Sequence, residues 1–369
     1  MKRLVLTGGP CAGKTTAKNY LYEKLSDYGF NAILVPEAAT FLITAGLDPR
    51  NFRNKKQILE FEELLLKTQM RFEDELFAKA LKIKNGRRKV MLCDRGCMDV
   101  AAYIDRKGFD KILRRNRWTR VGLRDRRYDS VFHLITAAEG REEHYNNDNA
   151  ARLETPAEAR LADLLTRNAW LGHPHLTIID NSTLFDGKLR RLLNAIRKAL
   201  GIPVAIETER KFLINNTVDI SRIPVPFQEI QIEQVYLTPS KRGRMRLRRR
   251  SQKNSGVAYY QTLKMPTGSA MSRIEIEKQI RGEEYYRRLK DQDPNFAAIR
   301  KKRVCFLWQN QYFELDVFTD PKWVCGLTLL EIELTKENDK VSIPSWLGKV
   351  KEVTEDPAYK NSNLAKEPA

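Results

Sequence analysis

The stretch "IETERKF", residues 206–212, places Glu207, Glu209 and Lys211 at alternate positions. Successive side chains of a β-strand leave opposite faces, so all three charges emerge together. An ordinary half-buried strand turns such a face to water. The rest of the chain argues otherwise, because the same spacing returns again and again. "RMRLR" sets Arg244, Arg246 and Arg248 against Met245 and Leu247, "YYQTLK" adds Lys264, and "RIEIEKQI" alternates Glu275 and Glu277 with isoleucines. "RKKRV" offers Lys301 and Arg303, "FELDVF" offers Glu314 and Asp316, and "LLEIEL" offers Glu331 and Glu333.

A solvated face mixes signs along each strand, whereas here some strands carry only carboxylates and others only bases. Closing the sheet with its charges inward gives each sign its own work. The bases gather a string of phosphates, and the carboxylates hold a divalent metal between those phosphates and an attacking water. Enclosed charge without a ligand is costly, so the expected structure is an α+β domain built on a water-filled antiparallel β-barrel, ready for a polyanion. Helical periodicity gives way to strand patterns near Gly201 and Pro203, which sets this domain at residues 203–366 and a first domain at 1–200. A length of 369 residues agrees with two domains.

The first domain opens on "RLVLTGGPCAGKTT", an apolar strand followed by Gly8, four residues, and Gly13, Lys14 and Thr15. Between a strand and a helix, the pattern GxxxxGK[ST] wraps phosphates in backbone N–H groups; Gly8, Gly9, Gly13, Lys14, Thr15 and Thr16 are the expected nucleotide ligands. Lys14 would neutralise the outer phosphates and the Thr15 hydroxyl would ligate magnesium. Further apolar strands end in Glu37 ("NAILVPEAA") and in Asp94 and Arg95 ("KVMLCDRG"), with a helical segment from about 56 to 84 between them. This alternation predicts an α/β P-loop fold with a parallel sheet, its ligand at the C-terminal strand edge. There Glu37 is a candidate general base, Asp94 a metal contact, and Arg95 a clamp on an anionic group. "RLETPAEARLAD" brings Arg152 and Arg160 near an expected lid as γ-phosphate clamps.

A net charge of +19 implies phosphate-bearing partners. The five cysteines lack paired zinc spacing, and no window spans a bilayer, so a soluble, cytoplasmic protein is expected. RNA 5′-triphosphates suit the charge, but no nucleic-acid motif is present.

These stretches carry two resemblances. "LTGGPCAGKTT", "VPEAATFLI", "CDRG", "YDSVFHLITAAEG", "ARLETPAEARLAD" and "GHPHLTIIDNS" resemble the P-loop domain shared by nicotinamide riboside kinase and the TRPL translocation defect protein family. The ordered set beginning with ExExK resembles the CYTH family, the triphosphate tunnel metalloenzymes. Its members are the ExExK residues themselves, "QVYL" at 234–237, Arg244 and Arg246, Lys264, Glu275 and Glu277, Asp316, Glu331 and Glu333. The two joined resemble the TRPL translocation defect family along nearly the whole chain.

The tunnel resemblance implies triphosphate binding by Lys211, Arg244, Arg246, Lys264, Lys301 and Arg303. It implies Mg2+ or Mn2+ on carboxylates from Glu207, Glu209, Glu275, Glu277, Asp316, Glu331 and Glu333. The expected function is ATP or GTP binding in the first domain and metal-dependent triphosphate hydrolysis in the second. Two alternatives stand beside it: a non-catalytic GTP- and phosphoinositide-binding regulator of membrane-protein trafficking, and a small-molecule kinase with a regulatory tunnel. For peripheral association with anionic membranes, the stretch "RKGFDKILRRNRWTRVGLRDRR" offers Arg114, Arg115 and Arg117 around Ile112, Leu113 and Trp118, although such charge runs commonly form solvated helices.

Overall fold

The computed structural model describes residues 1–145, 155–202, 208–215, 218–239, 244–267, 269–334 and 339–368. The chain divides into two compact units, Met1–Ile202 and Pro203–Ala369.

In the first unit, strands β1 (Lys2–Thr7), β2 (Phe30–Val35), β3 (Arg88–Asp94), β4 (Ser130–Leu134) and β5 (Leu176–Ile179) form a sheet of order β2-β3-β1-β4-β5. Every neighbouring pair is parallel. The helices are α1 (Lys14–Asp27), α2 (Ala38–Thr44), α3 (Lys55–Lys82), α4 (Arg106–Asn116), α5 (Arg120–Arg124), α6 (Pro156–Ala169) and α7 (Phe185–Ala199). Sheets covered on both faces need apolar residues at consecutive positions, which is why β1 and β3 read as near-continuous apolar runs. Leu4, Leu6 and Leu92 pack with Leu21 and Leu25 of α1 and with Leu192 and Ile196 of α7. The strands therefore end together at one edge, where the loops carrying Gly8, Glu37 and Arg95 begin.

The basic stretch proposed for membranes forms α4 and α5. Ile112 is fully buried and Leu113 nearly so. Arg115 bonds Glu63 and Arg120 bonds Asp110. The apolar face expected to settle on an interface belongs instead to the core, because a helix packed against its own domain shows the same periodicity as one that rests on lipid. Arg114, Arg115 and Arg117 remain exposed. No helix among the described residues is long and apolar enough to cross a membrane.

The second unit holds β6 (Thr208–Ile214), β7 (Phe227–Tyr236), β8 (Arg244–Gln252), β9 (Gly256–Thr267), β10 (Ser269–Ile280), α8 (Gly282–Arg288), β11 (Ile299–Trp308), β12 (Gln311–Asp320), β13 (Thr328–Leu334), β14 (Val350–Glu352) and α9 (Asn361–Leu364). Among the described residues its nine strands form one antiparallel sheet of order β10-β9-β8-β7-β11-β12-β13-β6-β14. Gln309 and Asn310, with φ of 47° and 61°, make the two-residue turn between β11 and β12. Positive φ at both positions matches the strand twist and fixes the register.

That register sorts the side chains. Phe212, Val304, Phe306, Phe313, Leu315, Leu330 and Ile332 share one face and pack with Leu347 into an apolar core. Their alternates, Lys211, Lys301, Arg303, Asp316 and Glu331, lie on the other face. That polar face is also enclosed: Asp316 is 0% exposed, Lys301 3% and Glu331 5%. At one end the same rows turn apolar through Leu213, Tyr236, Ile299, Phe318 and Leu329, which pack on Leu364 and Ala365.

Leu330 is fully buried in the apolar core. We expect Leu330→Ala to cost about 3 kcal/mol. Hydrogen exchange should show lost protection in β6, β12 and β13 while peptides of the first unit keep theirs.

Candidate functional site

The phosphate loop is shaped by close backbone approach. Gly8 has φ +144°, and a Cβ there would meet the Leu134 carbonyl oxygen at 2.1 Å. At Gly13, φ is +82° and a Cβ would lie 2.5 Å from the Phe185 ring. The loop is braced from outside by groups that motif reading missed. Asp163 of α6 accepts from the Gly9 N–H at 2.7 Å and the Thr136 N–H at 3.1 Å, and contacts His133 Nε2 at 3.1 Å. Lys188 of α7 donates to the Ile135 carbonyl at 2.6 Å and the Ala12 carbonyl at 3.3 Å. Burial lowers the Lys188 ammonium to about 8.

Lys14 turns back on its own loop, donating to the Gly9 carbonyl at 2.8 Å and the Gly8 carbonyl at 3.0 Å. Burial and the Arg95 charge lower it to about 8, against the pull of Glu37, Asp94 and Asp99. Thr15 and Thr16 are exposed at the start of α1. Arg95 binds Glu37 through Nε at 3.1 Å, and Lys18, one turn beyond Lys14, binds Asp94 at 2.7 Å. Lys14, Glu37, Asp94 and Arg95 therefore converge as expected, with Lys18 as an added cation. Although burial opposes it, Arg95 and Lys14 hold the Glu37 carboxyl down at about 2. In this arrangement Glu37 is an ionised partner of Arg95 and a poor proton acceptor at neutral pH, which weighs against the expected general base. Arg160 donates to the Ala138 carbonyl at 2.8 Å; Arg152 lies outside the described residues.

On the enclosed face of the second unit, acids and bases interlock. Lys211 Nζ reaches Glu331 at 2.6 Å and Glu209 at 3.3 Å. Arg303 meets Glu331 at 2.8 Å, Asp316 at 2.6 Å and also Glu314. Lys301 pairs with Asp316. Against its own burial, Glu331 is held well below the usual carboxylate range by Lys211, Lys301 and Arg303. Lys211 is raised by Glu331 and Glu209 although burial opposes it. Asp316 and Glu277, read as metal ligands, sit instead against bases: Asp316 as above, Glu277 on Arg248 at 2.5 Å and on the Thr262 hydroxyl at 2.9 Å. Glu207 lies outside the described residues, as do the side chains of Lys264 and Glu275, whose backbones pair in register.

The bases of β8 continue beyond the expected pair. Arg246 donates to Gln234 at 3.4 Å, Arg244 lies over the Phe296 ring, and Arg248 and Arg250 extend the row. Arg250 is 1% exposed. Burial, with Arg246, Arg250 and Arg303 nearby, lowers Arg248 against the pull of Glu277. So many crowded guanidinium groups favour an anion among them. The run "RLRRRS" hides this alternation, because Arg249 on the opposite face interrupts the pattern.

For a divalent cation, the described residues hold no cluster of three or more carboxylate, histidine or cysteine ligands. The register does set Glu209 directly opposite Glu333. Like charges facing across a ladder repel, and Lys211, 3.3 Å from Glu209, lowers that repulsion. The donor set, carboxylate oxygens only, fits a hard divalent ion.

Asp163 carries a testable pH dependence. Against burial, His133, Arg167 and the Gly9 N–H hold its carboxyl at about 2, below the ordinary 3.8. A depressed carboxyl contributes stability that is present above pH 4 and lost as the pH falls toward 2, here roughly 2 kcal/mol. In urea titrations from pH 5 to 2, Asp163→Asn should lose this part of the acid dependence and start less stable.

Residues 3–187 match the AAA domain family and residues 205–363 the CYTH domain family. An inorganic triphosphatase of Acetivibrio thermocellus is 42% identical over 71 residues, 19% of this chain and 43% of that protein. The chain thus matches less than half the length of that curated relative. Among solved structures, an inorganic triphosphatase is 31% identical, covering 44% of this chain and 95% of its own, with a TM-score of 0.31. A protein of Pyrococcus horikoshii OT3 is 21% identical, covering 36% and 80%, with a TM-score of 0.25. With the first family match extending over half its length, the chain belongs to the AAA domain family and carries a CYTH domain after it.

Proposed function

We propose that the CYTH domain binds and hydrolyses a linear triphosphate with the help of a divalent cation, and that the AAA domain binds a nucleoside triphosphate at its phosphate loop. The observation that carries this reading is the row of bases on β8, ending in the buried Arg250, beside the interlocked acids and bases of β6, β11, β12 and β13. The likeness to inorganic triphosphatases supports the same reaction class.

In this mechanism Arg244, Arg246 and Arg248, with Lys211, Lys264, Lys301 and Arg303, hold the phosphates. Glu331, Glu314 and Asp316 keep Lys211, Lys301 and Arg303 extended and charged before the substrate arrives, so little reorganisation is needed when charge develops on the departing phosphate. Enclosure excludes bulk water and strengthens each of these contacts. Glu209 and Glu333, with Glu207, would hold the metal, whose chemistry is to acidify a bound water and shield phosphate charge. In the AAA domain, backbone N–H groups of the loop and Lys14 would bind the outer phosphates. Thr15 and Asp94 would be the protein ligands of magnesium there.

Release of phosphate from tripolyphosphate by the full chain, with Mg2+ or Mn2+, should fall about 100-fold or more in Arg246→Ala and in Lys211→Ala. Circular dichroism should show both folded. Undiminished hydrolysis in both would remove the tunnel from the reaction. Separately, calorimetry should show Lys14→Ala weakening ATP or GTP binding at the AAA domain by at least tenfold, with tripolyphosphate hydrolysis intact.

A further inference from the structure

We propose that Lys18 is a positioning residue for the metal of the AAA domain and acts through Asp94. It holds that carboxylate against free divalent cations and yields it to a cation that arrives on nucleotide phosphates. The proposal rests on the nucleotide reading above.

Two separate features put Lys18 at this point. Asp94 ends β3 in register with Leu6 of β1, so its carboxylate emerges where the phosphate loop begins. On α1, Lys18 follows Lys14 by four residues and Thr15 by three, spacings that make side chains neighbours on a helix surface. Its Nζ lies 2.7 Å from Asp94 Oδ2, and the two side chains are 18% and 9% exposed. Lys18 therefore binds one of the two expected magnesium ligands and stands one turn from the other. The phosphate-loop motif ends at Thr15 and does not call for a base here.

The charges around the pair are matched. Arg95 is bound to Glu37 and Lys18 to Asp94, while Lys14 meets the Gly8 and Gly9 carbonyls. Lys14 also feels the charges of Arg95, Glu37 and Asp94, so these groups share one small space. A bare divalent ion taking Asp94 would expel the Lys18 ammonium beside Lys14 and Arg95, and would bring no anion to receive it. Like charges confined where water is scarce repel strongly. An ion carried on a triphosphate brings the missing anions. Asp94 and the Thr15 hydroxyl are hard oxygen donors that fit magnesium, and the flexible lysine stem lets the Lys18 ammonium turn to phosphate oxygens. Until that exchange, Lys18 also screens the nucleotide from the Asp94 charge.

The test uses the full chain. First, bound Mn2+ is counted by electron spin resonance without nucleotide. Mn2+ held by the CYTH domain is common to all variants, so differences between them report Asp94. We expect Lys18→Met and Lys18→Gln each to bind one more Mn2+ than the unsubstituted protein, and Lys18→Arg to bind no more. Adding Asp94→Asn to Lys18→Met should remove the extra site. Second, calorimetry follows ATP and GTP binding with Mg2+ and with EDTA, counting the part that Lys14→Ala abolishes. The factor by which Mg2+ tightens this binding should be at least fivefold larger in Lys18→Met, because an uncovered Asp94 repels the metal-free nucleotide. Circular dichroism should show each variant folded. A purely structural ion pair would lower the thermal midpoint and move neither readout. Equal Mn2+ counts in folded Lys18→Met and Lys18→Gln, or an extra site that survives Asp94→Asn, would overturn the proposal. So would an unchanged Mg2+ factor in a protein that binds nucleotide through Lys14. If nucleotide binding does not depend on Lys14, the nucleotide reading fails and takes the exchange with it, whereas the Mn2+ count still decides whether Lys18 shields Asp94.

Discussion

The carboxylate of Glu331 bonds Lys211 through one oxygen and Arg303 through the other, which joins β6, β11 and β13 across the enclosed face of the sheet. Taking these groups out of water is expensive, and the cost is recovered only when each lone pair and each N–H finds a partner. Arg303 meets that condition by engaging Glu314, Asp316 and Glu331 together. The interior is thus rigid before any ligand enters, and its surplus of base lies along β8, where carboxylates are few.

The AAA domain solves a different problem by similar means. A loop that offers its N–H groups to phosphate cannot stabilise itself with them, so its support has to come from behind. Asp163, Lys188 and Thr136 provide that support through the Gly9 N–H and the Ala12 and Pro10 carbonyls.

What the sequence reveals follows from how local each feature is. The glycine spacing of the phosphate loop and the two-residue alternation of the charged strands are written within single elements, so both folds and most bases were legible. Asp163, Lys188 and Lys18 look like ordinary helix-surface residues until tertiary packing brings them to the loop. Arg250 was obscured by its neighbour Arg249. Asp316 and Glu277 show the limit of reading charge by type: carboxylates on an enclosed face are equally suited to metal and to arginine, and only register decides which they meet. Ile112 and Leu113 show the same for apolar faces, since one periodicity serves both core and interface.

The turn of Gln309 and Asn310 has a consequence for how such a domain can change. Side chains alternate with a period of two, so the distinction between lumen and exterior on β11 and β12 is a matter of parity. A single inserted residue within either strand would send its enclosed charges into the apolar core and its core phenylalanines onto the polar face, exchanging the two faces of that part of the sheet. Length variation in these strands is confined to even steps, or to bulges that restore the count. The specificity of the lumen can drift residue by residue, while the frame that makes it a lumen is inherited whole.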